Sequence, residues 1–134
     1  MPEKATIQRA KADLRAGKSP STAAGEFVRE EIEHIREGKH GARSPEQAIA
    51  IGLSKARRAG IPLKPPKKGQ AKKSTRRAAQ RDYGVGQGRR KARKSSSKRS
   101  TAVTKRLKRE PKFSASRTAL SRHAKRVARR RKRA

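Results

Sequence analysis

The chain has 134 residues, with 41 Lys and Arg against 10 Asp and Glu, a net charge of +31, and no cysteine. Disulfides, Cys-based zinc sites and thiol chemistry are thereby excluded, and a positive field of this size points to a polyanionic partner rather than to solubility alone. No apolar run approaches the length of a membrane span or a signal-peptide core, so a cytosolic protein without membrane insertion is expected.

The charge is unevenly spread. Residues 1–60 carry 12 basic and 8 acidic side chains, net +4, whereas residues 61–134 carry 29 and 2, net +27. Only the first stretch mixes charges and apolar residues as a folded unit does, and about 60 residues lies near the lower limit for a core without staples. The expected fold class is all-α. It comprises a helical module of about three helices over residues 1–61, a basic Pro/Gly/Ser-containing linker over 62–100 and a basic helical tail over 101–134. The linker is expected to be mostly disordered, with a short helix at 74–83, which makes the arm as a whole largely disordered.

In chain order, KATIQRAKADLRA places Ile7, Ala10 and Leu14 on one face and stops at Gly17. The second helix starts at Ser19-Pro20, an N-cap followed by proline, and runs to Gly38 with Ala24, Phe27, Val28, Ile32 and Ile35 at helical spacing. Five acids lie on it. Glu26, Glu30, Glu33 and Glu37 fall on the outer side of the wheel, while Glu31 projects into the apolar face and is expected to pair with a basic residue of a neighbouring helix. Glu31-x-x-His34 has the spacing of one half of a di-iron carboxylate site, but only one copy exists, so no metal or other cofactor is expected.

GKHGARSPEQAIAIGLSKARRAGI holds the clearest helix. Ser44 is its N-cap, Pro45 its first residue and Gln47 the partner in an S-x-x-Q capping box; Arg57, Arg58, Gly60 and Pro62 are stop signals. Ala48, Gly52 and Ala56 form a row of small residues. With Ile51 on another side, this row is the expected interface for self-association or for a protein partner. The seven-residue loop before this helix is too long for a helix-turn-helix reader, and an acid at its start faces phosphate badly. Lys55, Arg57 and Arg58 at its far end can reach a phosphate backbone.

Residues 62–73 read as an extended basic linker, and the following STRRAAQRDY as a helix stopped by Gly84. Gly84, Gly86 and Gly88 lack the spacing of a dinucleotide fingerprint and read as flexible backbone. Ser95, Ser96, Ser97 and Ser100 read as linker residues. Further on, Val103 and Leu107 mark one short helix ended by Pro111, and Ser114 or Ser116 caps a last helix with a thin stripe of Ala119, Leu120, Ala124 and Val127. The expected nucleic-acid-binding residues are Lys67, Lys68, Lys72, Lys73, Arg76, Arg77, Arg89, Arg90, Lys91, Arg93, Lys94, Lys98, Arg99, Lys105, Arg106, Lys108, Arg109, Arg122, Lys125, Arg126, Arg129, Arg130, Arg131, Lys132 and Arg133. Asn is absent and Phe27, Tyr83 and Phe113 are the only aromatics, which disfavours base reading and base stacking. Double-stranded DNA bound through its backbone is therefore the expected partner, and RNA the second choice. No catalytic constellation surrounds His34, His40 or His123, so neither an enzyme nor a small-molecule substrate is expected.

The run VREEIEHIREGKHGARSPEQAIAIGLSKARRAG, together with the opening at Arg15 to Glu31 and the ALSRHAKRVARR segment at Ala119 to Arg130, resembles a family of small basic bacterial proteins of unknown function, often labelled DNA-binding. The resemblance covers residues 1–65 well and the remainder loosely. It implies a bacterial, nucleoid-associated, histone-like setting and assigns no site residues. The tail is similar to linker-histone tails in composition alone. Two other functions fit the residues: an RNA-binding or ribosome-associated basic protein, and an adaptor whose helical module binds a protein while its basic arm localises it.

Overall fold

The computed structural model describes residues 2–132 in full and the backbone of residue 133. Among the described residues the protein is all-helical: α1 Lys4–Arg15, α2 Pro20–Arg36, α3 Pro45–Arg58, α4 Lys73–Gly86, α5 Ser97–Arg109 and α6 Arg117–Arg133, with a 3-10 turn at Phe113–Ala115. Four of the helix stops share one chemistry, whereas α5 ends at an extended Glu110 before Pro111. Gly17, Gly38, Gly60 and Gly88 have φ of 81°, 82°, 99° and 73°. After each, the next amide reaches back to a carbonyl of the last turn: Lys18 to Asp13, Lys39 to His34, Ile61 to Ala56 and Arg89 to Gly84, at 2.9–3.1 Å. This is the Schellman closure, which satisfies carbonyls that a helix end otherwise orphans. Four of the starts are side-chain capped, whereas Glu3 before α1 and Lys72 before α4 make no such bond. Ser19 Oγ accepts from the Thr22 amide, Ser44 Oγ from the Gln47 amide, Ser96 Oγ from the Arg99 amide and Ser116 Oγ from the Ala119 amide. The box at α3 closes one residue early, since Gln47 Oε1 accepts from the Arg43 amide at 2.6 Å rather than from Ser44.

The chain divides into two compact units, each built from separate pieces of sequence: Met1–Glu30 with Ile51–Lys94, and Glu31–Ala50 with Ser95–Ala134. The first unit has 22 Lys and Arg against 5 acids, net +17, and the second 19 against 5, net +14, which together give the +31 of the chain. The charge asymmetry of the sequence thus disappears in the folded units, because each combines a weakly charged early segment with a strongly basic late one.

In the first unit Phe27 and Ile61 are buried with Ala10, Ala23, Ala24 and Ala56, and Ile7, Leu14, Leu53, Ala59 and Leu63 pack against them. Full burial of side chains the size of Phe27 and Ile61 is worth about 1.5–3 kcal/mol each. Gly52 lies so close to α2 that a Cβ there would meet the Val28 Cα at 2.6 Å. Glu30, assigned by the wheel to the outer side, is 4 % exposed and accepts from the Glu3 amide at 2.8 Å, because the start of α1 covers it.

In the second unit Ile35, Ala42, Ala48 and Ala115 are buried, with Ile32 against them. Backbone ties supplement this thin core. The Gly41 amide donates to the Leu107 carbonyl at 2.8 Å and the Ala42 amide to the Pro111 carbonyl at 3.1 Å. Arg36 Nε donates to the Ala115 carbonyl at 2.9 Å. A Cβ at Gly41 would lie 1.7 Å from the Glu110 carbonyl oxygen, so only glycine allows this approach.

Two expectations are corrected here. The arm is not largely disordered: α4 extends to Gly86 instead of stopping at Gly84, and α5 begins at Ser97 within the stretch expected to lack structure. The cause is tertiary. Ala79 of α4 is buried, Asp82 accepts from Ser54 Oγ at 2.7 Å and pairs with Arg58 at 3.3 Å, and Gly86 sits where a Cβ would lie 1.7 Å from the Arg57 carbonyl oxygen. The glycine triplet is therefore a packing and capping device, with Gly86 as the contact and Gly88 as the stop. In the tail, Val103 is 53 % and Phe113 66 % exposed.

Candidate nucleic-acid interface

Basic side chains cannot be neutralised within the chain, since ten acids face 41 cations. Several acids already have structural duties. Asp13 pairs with Lys18, Glu26 with Arg9, Glu37 with Lys39, Asp82 with Arg58, and Glu46 with His123 and Arg126. The cations predicted to contact phosphate lie in the segment that leads from α3 to α4, on α4, α5 and α6, and between α4 and α5. All of those with described side chains are exposed except Arg76, which is half-buried; the side chain of Arg133 lies outside the described residues.

Two concave basic surfaces gather some of them. In the second unit Arg122, Lys125, Arg126 and Arg129 of α6 line a groove with Phe113, Ser116, Thr118, Ala119 and Pro45. The spacing 122, 125, 129 repeats at three and four residues, so these cations project from one face of the helix, roughly 5–6 Å apart along it. In the first unit Lys67, Lys68, Arg76 and Arg89 line a second groove with Lys64, Pro65, Pro66, Gln80 and Tyr83. Each groove holds one aromatic ring. Lys64, Tyr83 and Phe113 were not singled out as binding residues from sequence; no spacing rule links them to the cations they sit beside. On α5, Lys105, Arg106 and Arg109 line a shallower depression with Ala102 and Glu110.

Glu46 shapes the α6 groove. Its carboxylate accepts from His123 Nδ1 at 3.0 Å and from Arg126 at 3.2 Å. A hydrogen bond from its own backbone amide is the main cause that holds its carboxyl below the ordinary value; burial opposes this, and His123 and then Arg126 add to the lowering. Arg126 is thus half-committed to an internal pair while Arg122, Lys125 and Arg129 face the groove.

Cations at the end of α3 are occupied elsewhere. Arg57 is 8 % exposed and donates through Nε to the Leu63 carbonyl at 3.2 Å; burial lowers its pKa, and Asp82 counters this. Arg58 pairs with Asp82. The expectation that Arg57 reaches phosphate is therefore corrected: it secures α3 to Leu63, while Arg58 remains exposed beside its Asp82 partner.

The small-residue row expected to bind a partner is likewise consumed inside the chain. Ala48 is buried in the second unit's core, Gly52 against Val28, and Ala56 in the first unit's core; Ile51 is half-buried. Small side chains permit close helix approach, and here the approaching helix belongs to the same molecule. A different group of side chains collects metal-type ligand atoms: Glu31, His34 and His40 bring one atom each within 4.8 Å of one another.

Comparison of the chain with protein-family models, with curated proteins and with solved structures found no match.

Proposed function

We propose that the protein binds double-stranded DNA through its phosphate backbone, without reading sequence, as a nucleoid-associated, histone-like protein rather than an enzyme. The observation that carries this reading is the α6 groove, where exposed cations stand in register along one helix face beside an apolar ring. Each cation that displaces a condensed counterion gains entropy, and this gain is indifferent to base sequence. Basic grooves in both units supply more than one set of phosphate contacts, which favours wrapping or compaction over a single docking event. The lack of Asn and the scarcity of aromatics support backbone contact over base contact.

A salt titration of duplex binding tests the proposal. The full chain should show a steep linear fall of log K with log salt, on random duplexes of any sequence. Replacing Arg122, Lys125 and Arg129 together by Gln should reduce the slope by about 0.9 for each phosphate that is no longer neutralised. An unchanged slope would remove α6 from the interface, and a flat salt response in the parent protein would end the backbone reading altogether. Structured RNA of matched length, measured at the same salt, separates the nearest alternative: tighter binding to RNA would make it the partner.

A further inference from the structure

We propose that Glu31, His34 and His40 form a binding site for a divalent transition-metal ion of the Zn²⁺ type. The three residues meet because of the helix stop described above. Glu31 and His34 are one turn apart in the last part of α2, and Gly38, with φ of 82°, turns the chain so that His40 folds back over that turn. The amide of Lys39 bonded to the His34 carbonyl at 3.0 Å fixes the fold-back.

The tautomer of His40 is decisive. Its Nδ1 lies 2.9 Å from the Gly41 carbonyl oxygen, an atom that can only accept, so Nδ1 bears the hydrogen. The lone pair of the neutral ring is then on Nε2, which lies 3.0 Å from Oε2 of Glu31, a side chain with no exposed surface. Two electron pairs facing each other at that distance require a cation between them, either a second proton or a metal ion. Glu31 Oε1 also faces His34 Nδ1 at 4.0 Å. One ligand atom from each of the three residues lies within 4.8 Å of the others; ligands 2.0–2.2 Å from a tetrahedral centre are about 3.4 Å apart, so an ion held by all three needs the His40–Glu31 separation to open and the His34–Glu31 separation to close by about half an ångström.

The surroundings agree. Donation of the second ring nitrogen to a backbone carbonyl is the usual support of a metal-bound histidine, because it fixes ring orientation and raises basicity. Two imidazoles and one carboxylate select Zn²⁺ or its neighbours over Mg²⁺ and Ca²⁺, which take oxygen ligands. In a chain of net charge +31, residues 31–46 carry four acids and three basic side chains, so a divalent ion meets a stretch there that is not net positive. His34 and His40 keep 15 % and 18 % of their side-chain surface exposed, which leaves a water access to the fourth position.

The test uses the full chain, freed of nucleic acid by nuclease and high salt and stripped with a chelator, then titrated with Zn²⁺ by calorimetry and with Co²⁺ by visible absorption. One saturable equivalent is expected, with the intense bands of a four-coordinate Co²⁺ centre. His40→Gln and Glu31→Gln should each weaken Zn²⁺ binding at least tenfold, while His123→Gln, which removes an imidazole far along the sequence, should leave it unchanged. Absence of saturable uptake, an equal loss in His123→Gln, or a doubly protonated His40 ring seen by NMR in excess Zn²⁺ would each overturn the proposal. Should a variant lose helix content, the Co²⁺ spectrum of the parent protein still decides.

Discussion

The two units solve the same problem with different means. Both are strongly basic and both must hold helices together against like-charge repulsion. The first does so with apolar volume, centred on Phe27 and Ile61. The second buries one large aliphatic side chain, Ile35, among three alanines, and relies on backbone clasps from Gly41 and Ala42 to the end of α5. Apolar burial is non-directional and tolerates small shifts; a clasp of hydrogen bonds through a glycine does not. A polycation can thus be folded with little hydrophobic area, provided that its backbone contacts are geometrically exact in a few places.

The largest effects are expected at the cores. Phe27→Ala should reduce unfolding free energy by about 3–5 kcal/mol, the ordinary cost of an aromatic cavity, and Ile35→Ala by about 2–5 kcal/mol, towards the lower end because its neighbours are small. Urea denaturation of the two variants measures both, and a larger loss at Ile35 would reverse the ranking of the units. A smaller effect separates volume from clasp. Gly41→Ala forces a Cβ onto the Glu110 carbonyl oxygen and should cost about 1–3 kcal/mol, with loss of hydrogen-exchange protection at the Gly41 and Ala42 amides. Unaltered protection at those amides would show that the clasp contributes nothing.

The smallest expected effect concerns pH. The carboxyl of Glu46 titrates in the folded protein below its ordinary value of 4.5. Its contribution to stability is therefore complete above pH 4.5 and is lost as pH falls through the lower folded value. Because the group is about half exposed, solvent screening keeps that contribution small. Thermal midpoints of the parent protein and Glu46→Gln should differ slightly above pH 4.5 and converge in stronger acid; a difference that grows on acidification would give the pair the opposite sign.

Much of the helical architecture was legible in the sequence. The Ser-Pro starts at residues 19–20 and 44–45, the glycine stops at 17, 38 and 60, and the apolar faces of α1, α2 and α3 all lie in the expected places. What failed was the inference from composition to disorder at the last turn of α4 and at the start of α5. Few apolar residues imply little burial, but the rule does not see that Asp82 meets Ser54 and Arg58, or that Gly86 fits against a carbonyl. The grooves were legible only as a set of cations. Which of them share a surface, and that Arg57 is withdrawn from it, depends on contacts a short window does not show: Arg57 meets Leu63, and Arg58 meets Asp82 of another helix.

Local matters follow from the chain's own order of residues: where helices begin and end, which faces are apolar, and that the net charge is +31. Caps, stops and periodicity act within a few residues, so they can be read from a short window. Tertiary structure alone decided that the faces of α2 and α3 are shared between two cores, and that the small-residue row is internal. It also decided that charge is distributed over both units, and that His40 meets Glu31. Those outcomes depend on close approach of distant segments, where a missing Cβ or one lone pair selects the neighbour.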